Sequence, residues 1–389
     1  MTTPQSTQWR GIWLSFLTGL IAAIAITKAS PALIAMKHEL QLNVVQIGWI
    51  MSSVAIGTVL LGVYTGSLAR QHGPKKVLQI ALLIIIISAT ATMFAPSANW
   101  LITGRIIEGI AVILISVSAP VLIAHLSKPS DMGLTMGVWA LWMPLGSVLV
   151  FLASPFILQY LDWRWLWGVT AILALPMLLL STRIPELMIK ITDPKSMPIR
   201  QSVIPGASIL ALIFICFTAN FFSLITYLPS YLVEVKSSSL NDAILITSIL
   251  PLFIIPGNLA GGFLIHRHIT PPQIMIYPAL ILILIMVLLL NIQASSSISL
   301  GLLAMYAFFL GMIPTAIFAQ APRMASNPAD IGRVIGIVVT GQGVGVLIGP
   351  TIAGYLIGES QQWSNFFPLL VFLPLLLVLL VFPLKKFQF

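Results

Sequence analysis

Charge is scarce in this sequence. Only 7% of its 389 residues are Asp, Glu, Lys or Arg, against roughly 25% in a soluble domain. From His268 to Pro322 there is none at all. No water-facing surface can be built from that stretch, whereas two spans of about 20 residues with a short turn can. Cysteine is nearly missing too. Cys216 stands alone in an apolar run, which excludes an internal disulfide and reads as a small buried apolar group. No G-x-x-x-x-G-K-[ST] phosphate loop occurs, which argues against ATP as a direct energy source. His38, His72, His125, His266 and His268 fall at or near the ends of apolar runs, without metal-site spacing. No metal and no bound cofactor is expected. The alternating ten-residue segments of a membrane β-barrel are also missing.

Long apolar runs are what the sequence has. Hydrophobic residues make up 58% of the chain. Twelve runs lie near 11–36, 44–69, 77–95, 100–125, 132–158, 164–183, 203–231, 243–265, 272–292, 298–321, 332–357 and 364–384. In lipid each must satisfy its own backbone groups, so each is predicted to be a helix. The first run is too long for a cleaved signal peptide and is followed at once by another. The fold class is therefore all-α: a polytopic membrane protein of about twelve spans.

The net charge of +9 would suggest nucleic acid in a soluble protein. Here the basic residues sit in short loops, so topology is the better reading and no nucleic-acid partner is expected. With the amino terminus inside, cytoplasmic segments hold Arg10, Arg70, Lys75, Lys76, Lys128, Arg183, Lys190, Lys195, Arg200, Arg267, Arg323, Arg333, Lys385 and Lys386. Outer segments hold Lys37, Arg164 and Lys236. That bias predicts both termini in the cytoplasm.

The longest inner loop, near 184–202, carries Pro185, Pro194 and Pro198 among clustered charges. It divides the chain into a first bundle at 1–188, a linker at 189–201 and a second bundle at 202–389. The halves look like a repeat. Pro31 pairs with Pro229, Gly66 with Gly262, Gly137 with Gly332, Pro155 with Pro350 and Trp163 with Trp363, all in order at nearly one offset. Two six-helix bundles in the same orientation are expected.

Three ionisable residues fall deep inside runs: Lys28, Arg105 and Glu108. Each costs roughly 2.5–3.5 kcal/mol at a helix centre, so they need partners or a watery cavity. Arg105 and Glu108, three apart, share a helix face. Lys28, late in the first run, and Arg105, early in the fourth, both lie in the outer half of the membrane. A structural ion triad and a binding-and-coupling site are both open readings. In the second, the surplus positive charge favours an anionic or carboxylate-bearing solute, and Glu108 is the candidate proton carrier. Uncharged candidates for the lining are Asn220, Tyr227, Tyr231, Asn258, Gln320 and Gln342, with Trp139 and Trp142.

The segment GSLARQHGPKKVL, from Gly66 to Leu78, resembles the loop between the second and third helices of the major facilitator superfamily. Gly66, Leu68, Ala69, Gly73, Lys75 and Lys76 fit its pattern G-x-L-A-D-R-x-G-R-K-x. Arg70 departs from it, standing where the family usually has an acid that helps hold the inner gate. Two readings of Arg70 stay open: an ordinary basic residue of the inner face, or a charge-reversed latch with Asp330, at the start of the eleventh run. RIIEG, from Arg105 to Gly109, is similar to a family motif whose arginine is linked to proton coupling. GVWALWMPLG, from Gly137 to Gly146, and GQGVGVLIGP, from Gly341 to Pro350, resemble the Gly-Pro segments of proton-driven exporters.

The resemblance implies a monomeric secondary transporter in a bacterial inner membrane, driven by a proton gradient. Its expected substrate is a small organic solute, anionic on the charge argument, with multidrug efflux as the alternative. A channel or lipid flippase is disfavoured by the repeated glycine motifs. An intramembrane enzyme would need a nucleophile with its base, or a metal cluster, which the runs lack.

Overall fold

The computed structural model describes residues 6–42, 44–186, 203–238, 240–291, 296–325, 330–357 and 363–384. The linker at 189–201 and the basic residues Lys190, Lys195, Arg200, Lys385 and Lys386 lie outside that set. The helices are α1 (Trp9–Thr27), α2 (Ala29–Glu39), α3 (Val44–His72), α4 (Pro74–Met93), α5 (Ala98–Leu126), α6 (Met132–Ala140) and α7 (Trp142–Tyr160). They continue as α8 (Trp165–Ser181), α9 (Val203–Glu234), α10 (Leu240–His266), α11 (Pro271–Asn291), α12 (Ser296–Gln320), α13 (Ile331–Ile357) and α14 (Phe366–Leu384). Among the described residues ten helical segments are long and apolar enough to cross a membrane. The bent α3 supplies an eleventh, and α8 is a shorter apolar helix of 17 residues at the position of the sixth predicted run. The molecule is an integral membrane protein, and each predicted run has a helical counterpart.

The helical hydrogen-bond ladder is interrupted for one residue inside two otherwise continuous spans, and the sequence says why in one case. Lys28 alone separates α1 from α2. Pro31 has no N–H, so the Thr27 carbonyl loses its partner four residues on. Leu141 separates α6 from α7. The turn from α3 to α4 uses Gly73 at φ +84° followed by Pro74. A side chain at Gly73 would meet nothing within 4 Å, so its backbone conformation alone demands glycine.

Hydrogen bonds identify the two faces. Gln8 N–H donates to the Leu126 carbonyl at 2.9 Å, and Lys75 Nζ donates to the Thr182 carbonyl at 2.9 Å. This is the face predicted to be cytoplasmic, hereafter the inner face. On the other face the Trp163 indole donates to Glu39 at 2.6 Å, and the Trp363 indole donates to Glu234 at 3.2 Å. The repeat therefore has a physical counterpart. In each half, a tryptophan before the sixth span ties down the glutamate that closes the first.

The repeat also governs how the halves meet. Gly66 of α3 packs on Gly332 of α13, where an added Cβ would strike the Gly332 carbonyl. Gly262 of α10 packs on α6, with an added Cβ only 2.9 Å from the Gly133 carbonyl and 3.2 Å from Gly137 Cα. The contact patterns give the register. Gly336 sits against the Gly62 carbonyl and Gly66 Cα, while Gly137 sits against the Asn258 carbonyl and Gly262 Cα. Gly137 thus corresponds to Gly336, not to Gly332 as the sequence pairing had it. The error is one helical turn, because glycines recur four residues apart in both GLTMG and GRVIG. In the corrected register the sequence PSDMG at 129–133 aligns with PADIG at 328–332.

Candidate functional site

Lys28, Arg105 and Glu108 converge in a sealed cluster between α1, α3 and α5. Lys28 Nζ lies 2.5 Å from Glu108 Oε1. Arg105 Nη1 lies 3.0 Å from Glu108 Oε2. The Lys28 ammonium also stands 5.1 Å from the Trp167 ring centroid, on α8. All three residues have 0% relative exposure.

Arg105 does more than pair with the acid. Nη1 donates to the Ala25 carbonyl at 2.5 Å, and Nη2 donates to the Ile26 carbonyl at 2.9 Å. These are the last α1 carbonyls before the break at Lys28. Nε donates to Ile50 of α3 at 3.3 Å. The planar guanidinium, with five donors in a fixed fork, therefore caps a broken helix and joins three elements. The sequence singled out all three ionisable residues but carried no sign of those carbonyl contacts.

The geometry decides how the surplus charge is spent. A buried carboxylate holding two cations is offset by both, and the remaining positive charge is spread over main-chain carbonyl dipoles. Both cations are buried, Lys28 without exposed side-chain surface and Arg105 with about 1%.

The uncharged candidates divide into two groups. Asn220 is buried inside the second bundle, where its Oδ1 accepts the Tyr306 hydroxyl at 2.7 Å and its Nδ2 donates to the Leu370 carbonyl at 3.1 Å. Tyr227 donates to the Pro350 carbonyl at 3.1 Å. Tyr231 packs against Trp363 and Phe367 near the outer face. Asn258 accepts Thr315 through Oδ1 at 3.1 Å, and Gln320 is buried. Asn220, Tyr227 and Asn258 thus tie helices together through their hydrogen bonds. Gln342 is different: it is half-exposed. On α13 it lies between the strip that touches α9 (Gly341, Gly345) and the strip that touches α3 (Gly336, Gly343). It is opposite the exposed Tyr355, so it points between the halves.

Trp142 belongs to an aromatic stack that bridges the halves. It lies parallel to Trp139 at 5.4 Å. Trp139 meets Phe318 of α12 edge-on at 6.2 Å, and Phe318 meets Phe214 of α9 at 5.5 Å. Trp139 and Trp142 were legible as candidates. Phe214 and Phe318 were not, because a phenylalanine in an apolar run is indistinguishable from lipid-facing filler.

On the inner face Arg70 and Asp330, two of the residues proposed from the sequence for a gate, lie together. Arg70 Nη1 lies 3.6 Å from Asp330 Oδ1, and Arg333 Nη1 lies 3.6 Å from the same oxygen. At these distances they are ion pairs rather than hydrogen bonds. Lys75 stands apart and caps the end of α8 through the Thr182 carbonyl. The second crossing has its own tie: His266 Nδ1 lies 3.0 Å from the Ser130 carbonyl. With the two glycine crossings, these contacts close the space between the halves on the inner side.

A family model described as the Major Facilitator Superfamily matches residues 15–329. The D-xylose transporter of Levilactobacillus brevis is 29% identical over 171 residues, 44% of this chain and 37% of that protein. The arabinose-proton symporter of Escherichia coli (strain K12) is 28% identical over 138 residues, 36% of this chain and 29% of that protein. The chain thus aligns with well under half the length of these curated relatives. The hexuronate transporter of Bacillus subtilis (strain 168) is 22% identical over 374 residues, covering 90% of this chain and 88% of that protein. Among solved structures, the human organic anion transporter MFSD10 superposes with a TM-score of 0.81 at 17% identity, covering 97% of this chain and all of that one. A proton:xylose symporter bound to 6-bromo-6-deoxy-D-glucose gives 0.80 at 18%, covering 97% and 95%. At these identities the structural likeness is one of fold.

Proposed function

Because this chain belongs to the Major Facilitator Superfamily, a family of membrane transporters, we propose that it is a proton-coupled symporter for a sugar-type solute. Its two halves rock about a midplane site. The observation that carries this reading is the single carboxylate of Glu108, which bridges Lys28 at the α1 break and Arg105 on α5.

Protonating Glu108 removes the charge that holds both cations. The α1–α2 segment beyond Lys28 is then tied less firmly to α5. Proton binding and helix movement are coupled at one atom pair. The proton gradient is the energy source, and no bound cofactor enters. The matched relatives named as sugar transporters and symporters support uptake over multidrug export. A neutral, polyhydroxylated solute also suits a site whose charges are already paired. Gln342, half-exposed between the halves, offers an amide for its hydroxyls.

A second reading keeps the anionic solute expected from the sequence. The surplus positive charge of the triad and the hexuronate transporter of B. subtilis, aligned over nearly its full length, favour a sugar acid. One experiment separates the two. Purified protein in proteoliposomes is given an inward proton gradient and offered radiolabelled pentoses, hexoses and hexuronates in turn. Gradient-dependent, saturable uptake of neutral sugars supports the first reading, and uptake confined to uronates supports the second. Uptake of neither, with export of lipophilic drugs instead, removes both.

The basic-residue asymmetry supports a bacterial cytoplasmic membrane with both termini cytoplasmic. A carboxy-terminal fluorescent fusion that matures only in the cytosol tests it. The protein is proposed to act as a monomer.

A further inference from the structure

Away from the triad and the gate, a groove of about 450 Å³ opens on the flank of the second bundle, where α10, α11 and α12 meet near the inner face. Its mouth carries Arg267 and His268, and its walls include Tyr277, Ile281, Phe309 and Met312. Met312 lies eight residues before the inner end of α12, so the groove descends about 12 Å into the apolar layer. Its deeper walls are apolar, which suits an acyl chain better than water.

The mouth is charged in one sense. The Arg267 guanidinium is exposed and stacks 5.2 Å from the centroid of the lipid-side Phe263 ring. Among the described residues no carboxylate lies within ion-pair distance of it. None can come from the two helices that follow, because His268 to Pro322 holds no acid. His268 sits at φ +70°, a left-handed conformation uncommon for a residue with a side chain, and this turn sets its imidazole at the rim. The exposed Tyr277 supplies the amphipathic ring found at headgroup level.

We propose that this groove is a binding site for an anionic phospholipid, with one acyl chain between α11 and α12 and the phosphate at Arg267 and His268. A basic pocket between spans at the cytoplasmic interface has the chemistry for such a headgroup. The site is independent of the solute and of the proton path.

The test is native mass spectrometry of the purified protein in detergent, titrated with phosphatidylglycerol or with phosphatidylcholine of identical chains. The wild type is expected to retain phosphatidylglycerol more tightly. Arg267→Gln should weaken its first binding step about fivefold, the worth of one basic residue at an anionic interface. Arg10→Gln, on the same face but outside the groove, should leave it unchanged. Ile281→Trp, which fills the groove, should weaken both lipids alike. Equal retention of the two lipids by the wild type would overturn the proposal. So would an Arg267→Gln loss no greater than that of Arg10→Gln. Transport need not be measured, so the outcome stands apart from the symport reading.

Discussion

Lys28 and Glu108 meet at 2.5 Å across two spans, and neither side chain reaches solvent. Eighty positions apart in sequence, they neutralise each other at the one point where α1 is broken. In the proposed mechanism a proton gained by Glu108 would be felt first by the segment that leads to the outer face.

Glu108→Gln should abolish proton-driven uptake while solute binding persists. It should also lower thermal stability, because Lys28 and Arg105 would then face each other unpaired, at a cost of about 3–5 kcal/mol. The double variant Lys28→Met with Glu108→Gln should recover much of the melting temperature and none of the coupled flux. Full coupled uptake by the single variant would remove Glu108 from the mechanism.

Arg105→Lys keeps the charge and should still fail. A lysine ammonium is a compact point donor and cannot span the Ala25, Ile26 and Ile50 carbonyls together with Glu108. Uptake should fall at least tenfold, and amide exchange at the α1–α2 junction should quicken. Wild-type exchange there would mean that the guanidinium does not cap the break.

At the inner gate, Arg70→Asp should slow transport more than Arg70→Ala. The first sets a second carboxylate beside Asp330, whereas the second leaves Arg333 at 3.6 Å from it. Pairing Arg70→Asp with Asp330→Arg should restore only part of the rate, since the new arginine meets Arg333. The expected changes are several-fold, as befits partly exposed pairs. Identical rates for all three would show that the latch is idle.

The crossing glycines give a sharper test. Gly66→Val and Gly137→Val each push a branched side chain into a neighbouring backbone, so the inner side should be held apart. A cysteine placed at Val121, otherwise buried and 3.8 Å from where a Gly332 Cβ would sit, should then label with a membrane-impermeant maleimide added from the inner face. The native Cys216 is buried and adds little background. If labelling is unchanged, the two crossings do not set the closed state.

The spans were legible because lipid leaves a long apolar run no choice but helix. The triad was legible because a charge in such a run is costly enough to stand out. Arg70 with Asp330 was legible as a pair through the departure from the family pattern. The register of the repeat was misread by one turn at Gly137, since a motif spaced at four residues matches itself when shifted by four. The division of polar residues between helix ties and free groups was invisible. Asn220 and Gln342 are both amides in apolar runs, and only the positions of Tyr306 and Leu370 make the first a strut and leave the second facing the other half.

Full burial of Glu108 has a consequence for leakage. A carboxylate without exposed surface cannot trade protons with either compartment while the protein stands still. On the proposed symport reading, a proton carried by Glu108 would cross only as fast as the helices around it rearrange, and idle molecules in an energised cell would not short-circuit the gradient.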